Sequence, residues 1–180
     1  MSNFITLSSA GLFHGVDALR FMADPTLPIR HSDTPREKWP QIGPWVEEPD
    51  FACFELDQPH PLVFGMANRV PRGHWCGYIC LNDAHNPVWP DNEDLLGFTE
   101  EITYSNDSLN LELVWQVLRY FNKRPKRIYG FDKGHYGDYA PGDRGFTLAA
   151  SEQYTTFEQA KRLVNNLGRI CVGRLKEVSR

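Results

Sequence analysis

Residues 51–56, 62–68 and 74–81 are short segments rich in aromatic and branched side chains, each bounded by Pro, Gly, Asp or Asn. Segments of that length, set so close together, fit strands and predict an antiparallel meander. A further run at 98–104 reads as another strand. Asn106, Asp107 and Ser108 then offer N-cap chemistry, and Leu111, Val114, Trp115 and Leu118 follow at i, i+3, i+4 and i+7. A helix over 109–122 with one buried face is predicted. Pro125 ends it and residues 127–131 resume as a strand, so strand, helix and strand predict one βα crossover.

The two ends of the chain read differently. Thr155, Thr156, Phe157 and Glu158 form a capping-box pattern, in which the threonine caps free amides and the glutamate reaches back. Phe157, Ala160, Val164, Leu167, Cys171 and Leu175 then make an apolar stripe, the mark of a long helix laid across a sheet or docked on a partner. Gly168 and Gly173 each weaken that helix by about 1 kcal/mol, so close packing is expected at both. At the other end, Pro25, Pro28, Pro35, Pro40, Pro44 and Pro49 interrupt any periodicity. Residues 1–50 read as a proline-rich, irregular arm held on the core by Trp39 and Trp45, with one short helix over 15–22 that partly buries Val16, Leu19 and Phe21.

A length of 180 residues fits one domain, and 41% hydrophobic residues supply its core. The expected class is α+β: residues 51–180 form a single domain with a mostly antiparallel sheet, one βα crossover and a long C-terminal helix on one face. Cys53, Cys76, Cys80 and Cys171 are too unevenly spaced for a disulfide framework, which points to the cytoplasm. No apolar run reaches the roughly 20 residues needed to span a bilayer. A net charge of −4 gives no general attraction to nucleic acid or anionic membranes. A local basic patch, Arg119, Lys123, Arg124, Lys126 and Arg127, reads first as the solvated end of a helix.

Two polar clusters carry the candidate chemistry. The first is Gly130-Phe131-Asp132-Lys133-Gly134-His135-Tyr136-Gly137-Asp138-Tyr139-Ala140-Pro141-Gly142-Asp143, a glycine-punctuated loop leaving a strand. Asp132, His135 and Asp138 supply proton-transfer groups, and Tyr136 and Tyr139 offer rings to stack a base. The second is Gly73-His74-Trp75-Cys76-Gly77-Tyr78, with His85 beyond it. On a strand His74, Cys76 and Tyr78 share one face. Three chemistries are compatible: a metal held by some of His74, His85, Asp132, His135 and Asp138; a Cys76 nucleophile activated by His135; and a metal-free His/Asp acid–base site. The plain structural account is that the aspartates make Asx turns while His74 and Cys76 pack on a half-buried face. The sequence contains none of the HExxH, paired CxxC or HxH patterns, so metal and cofactor are not legible.

At those two motifs, GHWCGY and GFDxxHxGD, the chain resembles a family of small bacteriophage and prophage proteins, over roughly residues 51–175. It departs from the family pattern at Gly97-Phe98-Thr99-Glu100-Glu101, where a glycine pair and histidine are usual, and at Lys133, where a cysteine is usual. The resemblance implies a setting, an accessory protein in the bacterial cytoplasm, and no particular reaction. The expected function is a small-molecule pocket, with nucleotides as the ligand class to test. His74, His135, Asp132 and Asp138 would be its catalytic candidates, and His85, Tyr136, Tyr139 and Tyr78 its ligand contacts. Hydrolysis by a His/Asp site and simple retention of the ligand both fit. The rival is a protein-interaction module that acts through the C-terminal helix or the aromatic arm without catalysis.

Overall fold

The strand pleat sorts the meander's side chains onto two apolar faces. The computed structural model describes residues 5–7, 16–24, 27–31, 36–70, 72–82, 95, 97–106, 125–135, 137–142 and 153–178. Within it β3 (Phe51–Phe54), β4 (Val63–Arg69) and β5 (Trp75–Asn82) pair antiparallel, with Phe51 opposite Asn68 and Asn68 opposite Cys76. Phe51, Cys53, Met66, Cys76, Tyr78 and Cys80 fall on one face. Ala52, Phe54, Ala67, Trp75, Ile79 and Leu81 fall on the other. Both faces are buried, which explains why these segments read as near-continuous apolar runs.

Four more strands complete one seven-stranded sheet: β1 (Ile5–Leu7), β2 (Ile29–His31), β6 (Tyr104–Asn106) and β7 (Pro125–Asp132). The order is β1-β2-β3-β4-β5-β7-β6, and every pairing is antiparallel except β1 with β2. The fold is therefore α+β with a mostly antiparallel sheet. The crossover expected around residues 98–131 is not a parallel one, because β6 pairs antiparallel with β7. The strand there begins only at Tyr104, and the helix expected over 109–122 lies outside the described residues, as does the basic patch up to Arg124. The parallel βαβ unit sits instead within residues 5–31, where α1 (Asp17–Ala23) joins β1 to β2. The stretch read as irregular thus adds two strands to the sheet. Val16 and Leu19, expected to be partly buried, are exposed. The Asp17 side chain accepts the Thr6 amide at 2.8 Å and pairs with Arg20 at 2.7 Å, while Val16 and Leu19 stay outside; the Phe21 side chain lies outside the described ones.

The long helix α2 (Phe157–Val178) lies across β4 and β5, with Ala160, Val164, Leu167, Cys171 and Leu175 buried against the second face. Burying each of the larger side chains contributes roughly 1.5–3 kcal/mol, so the stripe outweighs the helix's own propensity. Val164 reaches the sheet because two strand residues lack side chains. A Cβ on Gly65 would lie 2.9 Å from Val164, and one on Gly77 would lie 2.7 Å from it. The capping box forms one residue later than the sequence pattern suggests. Thr156 Oγ1 accepts the Gln159 amide at 3.2 Å and Gln159 Oε1 accepts the Thr156 amide at 2.7 Å. Phe157 must turn inward to Trp75, 5.2 Å away between ring centroids, and that phase makes Gln159, not Glu158, the third helical residue. Gly168 does pack closely, since a Cβ there would lie 2.4 Å from Leu56 Cδ1. Gly173 faces open space, and nothing in the structure explains it.

A buried polar hub ties β4, residues 39–48 and α2 together. The Arg69 side chain is 1% exposed and its Nη2 lies 2.7 Å from Glu48 Oε2. Arg69 also donates to the Trp45 carbonyl at 3.0 Å, and its guanidinium stacks over the Trp75 ring at 4.8 Å and the Trp39 ring at 5.5 Å. Glu48 accepts the Tyr154 hydroxyl and, at 2.8 Å, the Phe157 amide. That carboxylate meets both an arginine and the positive end of α2, so its charge is compensated twice. Around the hub Trp39, Trp45 and Tyr139 form a small aromatic core.

Candidate functional site

The pairing of β5 with β7 brings the two polar clusters together. Cys76 stands opposite Asp132, and one step beyond the strand end the Lys133 amide still donates to the Trp75 carbonyl at 2.8 Å. His74 and Gly134 are consequently neighbours across the gap. A Cβ on Gly134 would lie 2.8 Å from His74 Nε2, so only glycine lets the imidazole rest on this backbone. His74 is half-buried there.

Further backbone bonds hold the loop on both sides. The Gly142 amide donates to the Arg72 carbonyl at 2.7 Å. On the other side the Tyr139 and Gln153 amides donate to Gln153 and Gly137 carbonyls at 3.0 and 3.1 Å. The loop's own turns are built by its aspartates: Asp132 Oδ1 accepts the Gly134 amide at 2.9 Å and Asp138 Oδ2 accepts the His135 amide at 3.2 Å. The Asx-turn account therefore holds for Asp132; Asp138 instead reaches back to an amide three residues earlier, Gly137 has positive φ where Gly134 and Gly142 do not, and Asp143 lies outside the described residues.

It leaves out the imidazole. His135 has a side chain 47% exposed and lies between the two carboxylates, with Nε2 3.9 Å from Asp132 Oδ1 and Nδ1 4.0 Å from Asp138 Oδ2. Neither distance is a hydrogen bond, so both ring nitrogens can take another partner. Lys133 closes the group from beneath, with Nζ 3.1 Å from Glu100 Oε2 and 3.4 Å from Asp138 Oδ1. Burial works against its ammonium, but the Glu100 hydrogen bond and the Asp138 charge outweigh it and hold the pKa above the ordinary value.

Behind the loop Cys76 and Tyr78 are buried with Asp132 on their side of the sheet. Desolvation pushes the Cys76 thiol up to about 11; the bond to Tyr78 offsets part of this and the Asp132 charge adds to it. Buried and with its thiolate disfavoured, Cys76 is poorly suited to act as a nucleophile. Burial likewise raises Tyr78, whose ring sits edge-on to Tyr104 at 5.9 Å. Tyr139 is 8% exposed and packs on Trp45 at 5.4 Å, so its ring serves the aromatic core. His85 and Tyr136 lie outside the described residues. Among the described residues no three His, Cys, Asp or Glu side chains are placed to hold a metal ion.

Of the sequence candidates, the structure thus gathers His74, Asp132, His135 and Asp138 at one end of the sheet. Sequence reasoning passed over Glu100 and the ion-pairing role of Lys133. A loop lysine beside an acid-rich loop was the only available signal, and its partner lies 33 residues away. Among the described residues no helix is long and apolar enough to cross a membrane. Comparison with protein-family models, with curated proteins and with solved structures finds no match.

Proposed function

We propose that this protein is a phage or prophage accessory protein that binds a small molecule of nucleotide or nucleoside class at the sheet end formed by His74 and residues 132–138. The observation that carries the reading is the exposed His135 ring held between two carboxylates without bonding to either, on a loop fixed at both ends. Asp132 and Asp138 are acceptors and suit the N–H groups of a base or the hydroxyls of a ribose. Phosphates would sit away from them, since like charges repel. A hydrolytic step would use His135 to take a proton from water as its oxygen attacks the ligand's scissile bond, and to return that proton to the departing group, with the neighbouring carboxylates stabilising the transient imidazolium. The setting rests on the motif resemblance, and the two departures from that pattern, Glu100 and Lys133, form one ion pair.

Calorimetric titration with nucleosides and nucleotides, followed by product analysis, tests this. Binding lost in His135→Ala supports the site; turnover lost in the same variant supports a hydrolase. A full set of nucleosides and nucleotides with no saturable heat would overturn it. The interaction-module rival needs apolar surface on the C-terminal helix or around Trp39 and Trp45. The α2 stripe and both indoles are buried within the fold and lend it no support, whereas Ile42, exposed and between the two indoles in sequence, is apolar surface of the kind it needs.

A further inference from the structure

At the opposite end of the sheet from His74, the loop after β3 folds against α2 and leaves a groove of about 270 Å³. Its shape follows from Gly168, whose missing side chain admits Leu56 against the helix. That contact brings the Asp57 amide within 2.8 Å of Asn165 Oδ1. Asn165 therefore spends its acceptor on the protein and keeps its NH2 group as a donor. Asn166 does the same, because its Oδ1 accepts from Arg169 Nη2 at 2.9 Å. Arg162 and Arg169, both exposed, flank these amides along the groove, and neither has an acidic ion-pair partner among the described residues. The two arginines stand seven positions apart, which on a helix is about 10.5 Å, with the asparagines between them.

The groove is thus lined by the Arg162 guanidinium, the N–H groups that Arg169 does not give to Asn166, and two amide NH2 groups, beside Gln58 and one solvent-exposed carboxylate from Asp57. In a chain of net charge −4 such a concentration of donors is local, not a reflection of overall composition. One guanidinium fork already satisfies a carboxylate bidentately. The Arg162 fork, the remaining Arg169 N–H groups and two amides supply more donors than the roughly four lone-pair sites of a carboxylate, and match the larger oxygen set of phosphate. The volume lies just under the roughly 300–1,000 Å³ of pockets that enclose whole ligands, so the groove would take the anionic end of a molecule.

We propose that this groove is an anion site for the phosphate end of a small phosphorylated ligand. It lies on other residues than the His74–Asp138 end and does not depend on the function proposed for that end. Inorganic phosphate, pyrophosphate and citrate, titrated separately into nitrogen-15-labelled full-length protein at low ionic strength, test it through the side-chain NH2 signals of Asn165 and Asn166. The expected result is saturable binding of pyrophosphate in the millimolar range or tighter, weaker binding of phosphate, and about a tenfold loss for each of Arg162→Gln and Arg169→Gln. Both arginines are exposed, so the variants fold, which an unchanged amide spectrum elsewhere verifies. The proposal is overturned if the signals do not saturate, if the double variant binds as the parent does, or if citrate binds as tightly as pyrophosphate.

Discussion

The molecule holds two dense polar clusters, and they are used in opposite ways. Around Arg69 the partners are far apart in sequence, the guanidinium is 1% exposed, and Glu48 meets an arginine, a tyrosine hydroxyl and a helix amide within bonding distance. Around His135 the partners are three residues away on either side, the ring is 47% exposed, and both carboxylates stop about an ångström short of bonding it. The first cluster is buried and bonded across the fold, and it fixes three parts of the chain together. The second is held by backbone bonds on either side and leaves its imidazole without a hydrogen bond to either carboxylate. A ligand site needs the second condition, because groups already satisfied have little to gain from binding.

The comparison is broken most directly at Arg69. Arg69→Ala strands the Glu48 carboxylate in a buried setting and is expected to cost about 3–5 kcal/mol, read as a fall in the urea midpoint. A loss under about 1 kcal/mol would mean that water replaces the guanidinium and the hub is not truly buried. Next is Gly134→Ala, whose Cβ would press on His74. It should destabilise by about 1–3 kcal/mol and also weaken ligand binding, because the two halves of the site are forced apart. Lys133→Met should cost about 1 kcal/mol or less. Its raised pKa sets the sign: the ammonium's contribution is complete below its ordinary value of 10.5 and is lost as pH rises through the higher folded value. Parent and variant should therefore converge in stability in strongly alkaline buffer, and a difference that persists would assign Lys133 a packing role. His135→Ala is the smallest, within about 0.5 kcal/mol in thermal unfolding. A larger loss would show the ring to be structural and erase the contrast between the clusters.

The meander was legible because its apolar runs are bounded by breakers on both sides, and the α2 stripe because its period fits a helix for five turns. Strands β1 and β2 were not, since Ile5-Thr6-Leu7 and Ile29-Arg30-His31 are too short to show a period and pair across the length of α1. Strand direction was the other casualty. Periodicity marks residues 127–131 as a strand but carries no sign of whether its neighbour runs with or against it, so the crossover was assigned to the wrong pair. At the site, the loop and His74 could be picked out as clusters of unusual residues. Their meeting depended on β5 and β7 lying side by side with Cys76 opposite Asp132, a long-range fact with no local trace. Glu48 and Arg69 went unnoticed for the same reason.

The placement of α2 also bears on how the chain is made. The helix that covers Trp75, Ile79 and Phe131 follows every strand in the sequence, and its first turn is completed by Glu48 from far upstream. During synthesis at about 5–20 residues per second, the sheet emerges seconds before its cover. For that interval one wall of the core is bare, and the nascent protein is most open to chaperones and to self-association just before α2 leaves the ribosome.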